Sequence, residues 1–205
     1  MSFKLTPRIA LVLIAALFVL PLAVAWMMYT GTIDYRPGST RNFGELVKPP
    51  QPIAWSGITV DGETANSGEN PFSGHWLVLH AVPNPCSETC LETVAELRQV
   101  HRAAGRDQPR IQLALLHDLQ DPGAASRLRE IYPAFHLVEN PDRGLWRTLD
   151  GVAGQDAARD SSRGDSFMVD PLGNIMMVYG AGSDPNGLKK DLKRLLTWSK
   201  LDENQ

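Results

Sequence analysis

The stretch WLVLHAVPNPCSETC, residues 76–90, decides the fold of this 205-residue chain. Its first part, WLVLHAV, is a nearly continuous apolar run, which is typical of a strand buried on both faces of a sheet. Pro83 and Pro85 end that strand, and apolar residues at helical spacing begin directly after them. A buried strand that leads into a helix is the first unit of a layered α/β fold.

Strands and helices continue to alternate along the chain after this unit. We predict further strands at residues 111–116, 135–138, 166–169 and 174–179, helices at 87–103, 122–132, 142–149 and 184–198, and an additional N-terminal strand within 53–60. The turn DPLG at 170–173 separates the last two strands and is typical of a hairpin. A closing hairpin followed by a helix resembles the thioredoxin arrangement. The predicted fold class is therefore α/β, a thioredoxin-like central sheet flanked by helices.

One N-terminal transmembrane helix is predicted before this domain. Residues 9–29 contain no charged side chain, and about 20 apolar residues suffice to cross the hydrocarbon core. Lys4 and Arg8 precede the run, so the positive-inside rule puts the N-terminus in the cytoplasm and the domain on the other side. The sequence thus predicts a single-pass protein of the cell inner membrane with a periplasmic domain.

A cleaved signal peptide is the alternative interpretation of the same run. Ala23, Val24 and Ala25 match an A-x-A cleavage site, but the apolar run is longer than the usual 7–15 residues of a signal. We therefore favour a retained anchor. Both interpretations export the domain, so its location does not depend on the choice.

The remaining boundaries follow from composition. We assign 1–8 to a cytoplasmic N-terminus, 9–29 to the anchor, 30–52 to a Pro/Gly-rich tether, 53–199 to the thioredoxin-like domain and 200–205 to a polar tail. The net charge is −3 and no basic cluster dominates, which argues against a nucleic-acid partner. Four basic residues on the last helix, Lys189, Lys190, Lys193 and Arg194, are interpreted as a solvated face.

The only two cysteines, Cys86 and Cys90, are the candidate catalytic residues. A disulfide over three intervening residues constrains the unfolded chain little, so the pair is a better redox or metal site than a structural staple. The N-terminus of a helix favours a thiolate, and residues four apart on a helix lie about 6 Å apart, within disulfide range. Two thiolates are also suitable ligands for Cu(I) or zinc. Core filler is the remaining alternative.

A family resemblance rests on these features together. A membrane anchor, a Pro-rich tether, a buried strand and a C-x-x-x-C that opens a helix resemble the Sco/SenC group, and the segment SFMVDPLG at 166–173 resembles its strand-turn-strand element. The resemblance covers about residues 72–198. It implies a thioredoxin-like fold, a role in inserting copper into cytochrome c oxidase, and an oxidase subunit or a copper chaperone as partner.

This chain departs from that family at the copper site. Ser87 and Leu91 stand where the family has prolines, and Ser162 stands where it has its copper histidine. No histidine follows His136. We therefore predict thiol–disulfide exchange at Cys86 and Cys90 in support of oxidase assembly, with copper as the candidate cofactor.

Two other functions stay open on the sequence. The first is a Cu(I) metallochaperone in which Cys86 and Cys90 bind the metal with a third ligand from His80, from a partner or from a methionine; the candidate methionines are Met168, Met176 and Met177. A histidine or methionine on a strand is more simply a core residue. The second is an assembly scaffold in which the cysteines are incidental. The motifs of phosphate loops, zinc proteases and serine hydrolases are absent.

Overall fold

The computed structural model describes residues 6–30, 42–65, 68–118, 122–154 and 164–199. Residue contacts divide the chain into two compact units, 1–41 and 42–205. Residues 31–41 of the predicted tether, Ser162 and the predicted tail 200–205 lie outside the described residues.

The first unit contains one helix, α1, which runs from Pro7 to Tyr29. Proline is well suited to the first helical position, where its missing N–H costs no hydrogen bond. No described residue of α1 is buried, and Pro21 lies inside the helix. Within the described chain, α1 is the one helix whose length and composition would let it cross a membrane. The helix is consistent with a membrane anchor or with a signal sequence.

The second unit is a mixed eight-stranded sheet with helices on both faces. In chain order its elements are β1 Glu45–Pro52, β2 Thr59–Val60, β3 Glu63–Thr64, β4 Trp76–Ala81, α2 Glu88–Arg102, a 3₁₀ helix Gly105–Arg110, β5 Ile111–His117, α3 Pro122–Ile131, β6 His136–Glu139, α4 Gly144–Ala153, β7 Ser166–Val169, β8 Asn174–Tyr179 and α5 Pro185–Trp198. The strand order is β1-β8-β7-β4-β5-β6-β2-β3. The strands β4, β5 and β6 are parallel, and β7 and β8 close the sheet as an antiparallel hairpin. The predicted α/β, thioredoxin-like class is confirmed.

Alternate side chains of the central strands face two separate cores. On β5, Ile111, Leu113 and Leu115 point to one core, whereas Ala114 and Leu116 point to the other. The first core is covered by α2, α3 and α5 through buried residues that include Val94, Leu97, Leu128, Leu188, Leu192 and Leu196. The second is covered by α4 and by the segment before β4. Since both faces are covered, β4 and β5 read as apolar runs rather than as alternating strands.

The segment predicted to be a tether contains a strand. Residues 45–52 form β1, which pairs antiparallel with β8 at the edge of the sheet. The register shifts between Leu46 and Gln51, and Pro49 and Pro50 lie within that irregular stretch. Proline is tolerated at sheet edges and bulges, where no ladder hydrogen bond is lost. The tether predicted for residues 30–52 therefore ends before residue 45. The sequence gives little sign of this strand, because an edge strand makes hydrogen bonds on one side only and tolerates prolines.

The strand predicted within 53–60 is much shorter than expected. Only Thr59–Val60 is a strand, paired with β6 and β3. Ile53, Trp55 and Ile58 are buried in the second core instead, as part of an irregular segment. In the sequence their apolar side chains resemble the pattern of a strand, but in the structure they cover one face of the sheet.

A buried carboxylate fixes the first residues of the domain to the last helix. Asp191 of α5 is 1% exposed, and its Oδ2 accepts hydrogen bonds from the backbone N–H groups of Phe43 at 2.7 Å and Gly44 at 3.0 Å. The hydroxyl of Tyr179 donates a third at 3.1 Å. Three donors on Oδ2, together with the Arg194 guanidinium 3.5 Å from Oδ1, offset the cost of burying this charge, although Oδ1 itself accepts no hydrogen bond from a described residue.

Candidate redox site

The two cysteines lie at the junction between β4 and α2. Pro83 to Pro85 lead from the strand, Ser87 is the N-cap of α2, and the helix begins at Glu88. Cys86 thus precedes the helix, whereas Cys90 lies in its first turn. The sequence had suggested that both cysteines share a helix face; the structure brings them together across the helix start instead. They form a disulfide with a Cα–Cα distance of 5.4 Å.

The two sulfur-bearing residues differ in exposure. Cys90 is fully buried in the first core, together with Val82 and Val94. Cys86 is only partly buried and packs against the edge of that core. Of the two bonded cysteines, Cys86 is therefore the one with a solvent-accessible side.

The N-terminus of α2 provides the local electrostatic field. The Ser87 hydroxyl accepts a hydrogen bond from the backbone N–H of Cys90 at 3.4 Å and lies 2.7 Å from the Thr89 hydroxyl. Unpaired N–H groups at a helix start carry partial positive charge, which stabilises a nearby thiolate. Glu88 in the first turn opposes this effect.

His80, the candidate third copper ligand, is fully buried in β4. Its Nδ1 lies 3.0 Å from the hydroxyl of Ser166, which is paired with His80 across β4 and β7. Met168 and Met177 are buried in the first core, and Met176 packs against it. These residues occupy packed positions in the sheet, as the simpler interpretation of the sequence predicted.

Gly164, two residues before β7, lies against the end of β4. It has φ +74°, and a Cβ at this position would lie 2.1 Å from the Ala81 oxygen and 3.2 Å from His80 Cε1. The backbone just before β7 is thus in close contact with the end of β4, where the chain continues into the loop that carries Cys86. Sequence analysis missed this residue. Its only signal was a glycine two residues before a strand, which is too common to interpret alone.

A second polar cluster lies at the ends of β5 and β6. His117 is buried, and neither of its ring nitrogens has a hydrogen-bond partner within the described ranges. Its Nε2 lies 3.7 Å from Glu139 Oε1. Burial lowers the pKa of His117, and the nearby carboxylates of Glu139 and Asp118 only partly oppose this effect. The imidazole is therefore neutral at pH 7.

The donor set around the cysteines does not complete a metal site. In the part of the chain that the structure describes, no group of three or more His, Cys, Asp or Glu side chains could hold a metal ion. The reduced cysteines would offer two sulfur ligands, and His80 Nδ1 is already at hydrogen-bond distance from Ser166. The reduced pair would therefore offer Cu(I) two thiolates, whereas a third ligand from another described histidine, cysteine or acidic side chain is not in place.

The sheet order, the helices and a cysteine pair at the start of α2 define a thioredoxin-like protein. Within that class, the chain belongs to the family described as the transmembrane-like, thioredoxin-like, C-terminal domain, whose model matches residues 76–199. The match begins at β4 and ends just after α5, so it contains the whole cysteine site. No curated protein sequence matches this chain significantly.

Solved structures from two protein groups show distant similarity to this chain. Apo Sco1 of Thermus thermophilus is 15% identical with a TM-score of 0.52, over 77% of this chain and 99% of that chain. Copper-bound ScoI of Arabidopsis thaliana is 12% identical with a TM-score of 0.49, over 71% and 94%. The bacterioferritin comigratory protein of Xanthomonas campestris is 16% identical with a TM-score of 0.48, over 73% and 96%. Of these three, the Thermus thermophilus structure supports the fold and, at 15% identity, nothing beyond it.

Proposed function

We propose that this protein carries out thiol–disulfide exchange through Cys86 and Cys90. The observation that carries the proposal is the asymmetry of the disulfide: Cys86 is partly exposed before the start of α2, whereas Cys90 is fully buried. An attacking residue that is open to a partner and a resolving residue protected from it are the two parts that such exchange requires.

The exchange is balanced in electrons and protons. With the domain reduced, the Cys86 thiolate attacks a client disulfide, a mixed disulfide forms, and one client sulfur leaves as a thiolate. The Cys90 thiolate then attacks Cys86 Sγ, which forms the intramolecular disulfide and releases the second client thiolate. The domain has lost two electrons, and the client has gained them and takes up two protons. The reverse sequence oxidises a client dithiol, and the reduction potential decides the direction.

The proposed location is the exported side of a membrane, with α1 as a retained anchor. The uncharged length of α1 and the basic residues Lys4 and Arg8 before it support this orientation. In a bacterial cell this places the domain in the periplasm. Resistance of the full chain to extraction from membranes by alkaline carbonate is expected, whereas release of a shortened chain would indicate a cleaved signal.

The proposed client is a protein that takes part in assembling the copper centre of cytochrome c oxidase. The support is the sequence resemblance in the cysteine motif and in the hairpin at 166–173. A redox role in that assembly is preferred to direct copper donation because Ser162 stands where the resembled family has its copper histidine. Serine at both cysteines should then impair oxidase assembly, whereas an intact oxidase in that double variant would favour the scaffold alternative.

Trapping of the mixed disulfide tests the exchange most directly. Cys90→Ser leaves Cys86 without its resolving partner, so we expect covalent complexes that disappear on reduction. Cys86→Ser is the matched control and should trap none. A redox titration of the wild type should give a two-electron midpoint between about −0.3 and −0.1 V. Equal trapping by both variants, or a pair that cannot be reduced, would contradict the proposal.

A further inference from the structure

We propose that the outer face of α5 binds an anionic phospholipid bilayer, an inference that rests on the proposed membrane anchoring. Three lysines, Lys189, Lys190 and Lys193, are exposed on this face. They are three of the six lysines in the chain. None of them forms an ion pair with a described acidic side chain. We call these three lysines, together with Phe43, the α5 face.

The charge of α5 differs in sign from that of the whole protein. The chain has a net charge of −3, whereas α5 carries four basic residues and one acid. That acid, Asp191, is buried and already accepts three hydrogen bonds, so it does not neutralise the exposed lysines. A positive surface on an acidic protein is complementary to the negative headgroups of phosphatidylglycerol.

Two aromatic side chains on or beside α5 are exposed, and one of them contacts a lysine. Phe43 is 56% exposed, and Lys190 Nζ lies 4.8 Å from the centre of its ring. Trp198, the last residue of α5, is 67% exposed. Aromatic rings beside basic residues are favoured at the interface between lipid headgroups and water.

Chain connectivity favours a bilayer over an acidic protein as the occupant of this face. The first residues of the domain pack against α5: Phe43 lies so close to Gly187 that a Cβ added to this glycine would be 2.7 Å from Phe43 Cβ. The backbone of Phe43 is also held by Asp191. Residues 30–42 are all that separate Phe43 from the end of α1. If α1 is an anchor, this short stretch of chain keeps the start of the domain, and with it α5, tied to a membrane.

The expected strength of this contact follows from the lysine count. Each lysine near an anionic surface improves binding about fivefold at physiological salt. Three lysines together correspond to roughly a hundredfold, provided that they act independently. The attraction should weaken strongly at about 1 M salt, where the screening length falls to about 3 Å.

Lysine acetylation of the full chain in lipid nanodiscs tests the proposal. We expect the three α5 lysines to react several-fold more slowly in discs that contain phosphatidylglycerol than in discs of phosphatidylcholine alone, and this protection should vanish at high salt. Lys48, an exposed lysine on β1, is the internal control and should react equally in both. Equal acetylation of the α5 lysines in the two lipids would overturn the proposal.

A second measurement separates this inference from the proposed redox function and from anchoring. The quenching of Trp198 by brominated phosphatidylglycerol, defined by subtraction of a Trp198→Phe variant, should be lost in the K189Q/K190Q/K193Q protein. Retained quenching would contradict the role of the lysines. Reduction of the Cys86–Cys90 disulfide should be unchanged in that variant, and incorporation into the discs reports the anchor by itself.

Discussion

Replacing Asp191 by alanine should destabilise the domain by about 4 kcal/mol. The substitution leaves the N–H of Gly44 buried without an acceptor and leaves the hydroxyl of Tyr179 with only the weak acceptor Met177 Sδ at 3.4 Å; a buried unsatisfied donor costs about 1–3 kcal/mol. The N–H of Phe43 is only partly buried and can be hydrated, so it adds less. Arg194, 3.5 Å from Oδ1 and 40% exposed, can turn toward water.

Asparagine at the same position separates the hydrogen bonds from the charge. All three donors meet the same oxygen, Oδ2, so an amide oxygen placed there can accept the same three bonds. Asp191→Asn should therefore cost less than Asp191→Ala: it gives up the added strength of hydrogen bonds to a charged acceptor, about 1–2 kcal/mol, and puts its amide N–H2 at the buried Oδ1 position beside Arg194, but it keeps an acceptor for all three donors. The two variants differ in one functional group and predict clearly different stabilities.

Urea unfolding of the full chain in detergent micelles, followed by near-UV circular dichroism, measures both variants. Asp150→Ala on α4 is the control, because Asp150 is exposed and its loss should change stability by less than about 0.5 kcal/mol. If Asp191→Ala were as mild as this control, or if asparagine were as damaging as alanine, the argument from a shared acceptor oxygen would be refuted.

Three further predictions concern the pH dependence and the backbone. Burial, together with the charge of Asp191, raises the pKa of Tyr179, so that above about pH 10 the unfolded chain loses the phenolic proton before the folded chain does. The free energy of unfolding should therefore fall by about 1.4 kcal/mol per pH unit in that range. Tyr179→Phe should remove this contribution to the slope when urea unfolding is measured at alkaline pH. Burial lowers the pKa of His117, so the unfolded chain binds a proton on this imidazole more readily than the folded chain does. The free energy of unfolding should therefore decrease as the pH falls below about 6.5. His117→Gln should reduce this loss of stability at acid pH, and an unchanged loss would show that His117 is not its source. Gly164→Ala should lower the melting temperature far more than Gly182→Ala, since both glycines have positive φ but only Gly164 would bring a Cβ to 2.1 Å from the Ala81 oxygen; equal shifts would exclude the close contact as the cause.

Most elements around the cysteine site could be predicted because their signals are local. The hairpin strands 166–169 and 174–179 have the predicted bounds in the structure. The DPLG turn marks where the first strand ends and where the second begins. The start of α2 was also predicted within a residue, because Pro85 and Ser87 are strong breaking and capping signals. Errors concentrated at 45–60, where pairing with distant strands rather than local preference decides the structure.

Contacts over long sequence distances account for what the sequence did not reveal about the site. Gly164 meets Ala81 across more than eighty residues, and His80 meets Ser166 across 86. The acceptor role of Asp191 toward Phe43 spans 148 residues. No spacing rule connects such positions, because the sheet order that brings them together depends on how all strands pack.

The amino-acid sequence by itself determined an uncharged helix-length segment, an alternating α/β order and a close cysteine pair at a strand-to-helix junction. These properties depend on neighbouring residues, through periodicity, proline and chain length. Only the tertiary structure decided that Cys86 is partly exposed while Cys90 is sealed in a core, and that the domain begins on α5. Burial and docking depend on which surfaces meet, and that is set by the packing of the whole sheet and its helices.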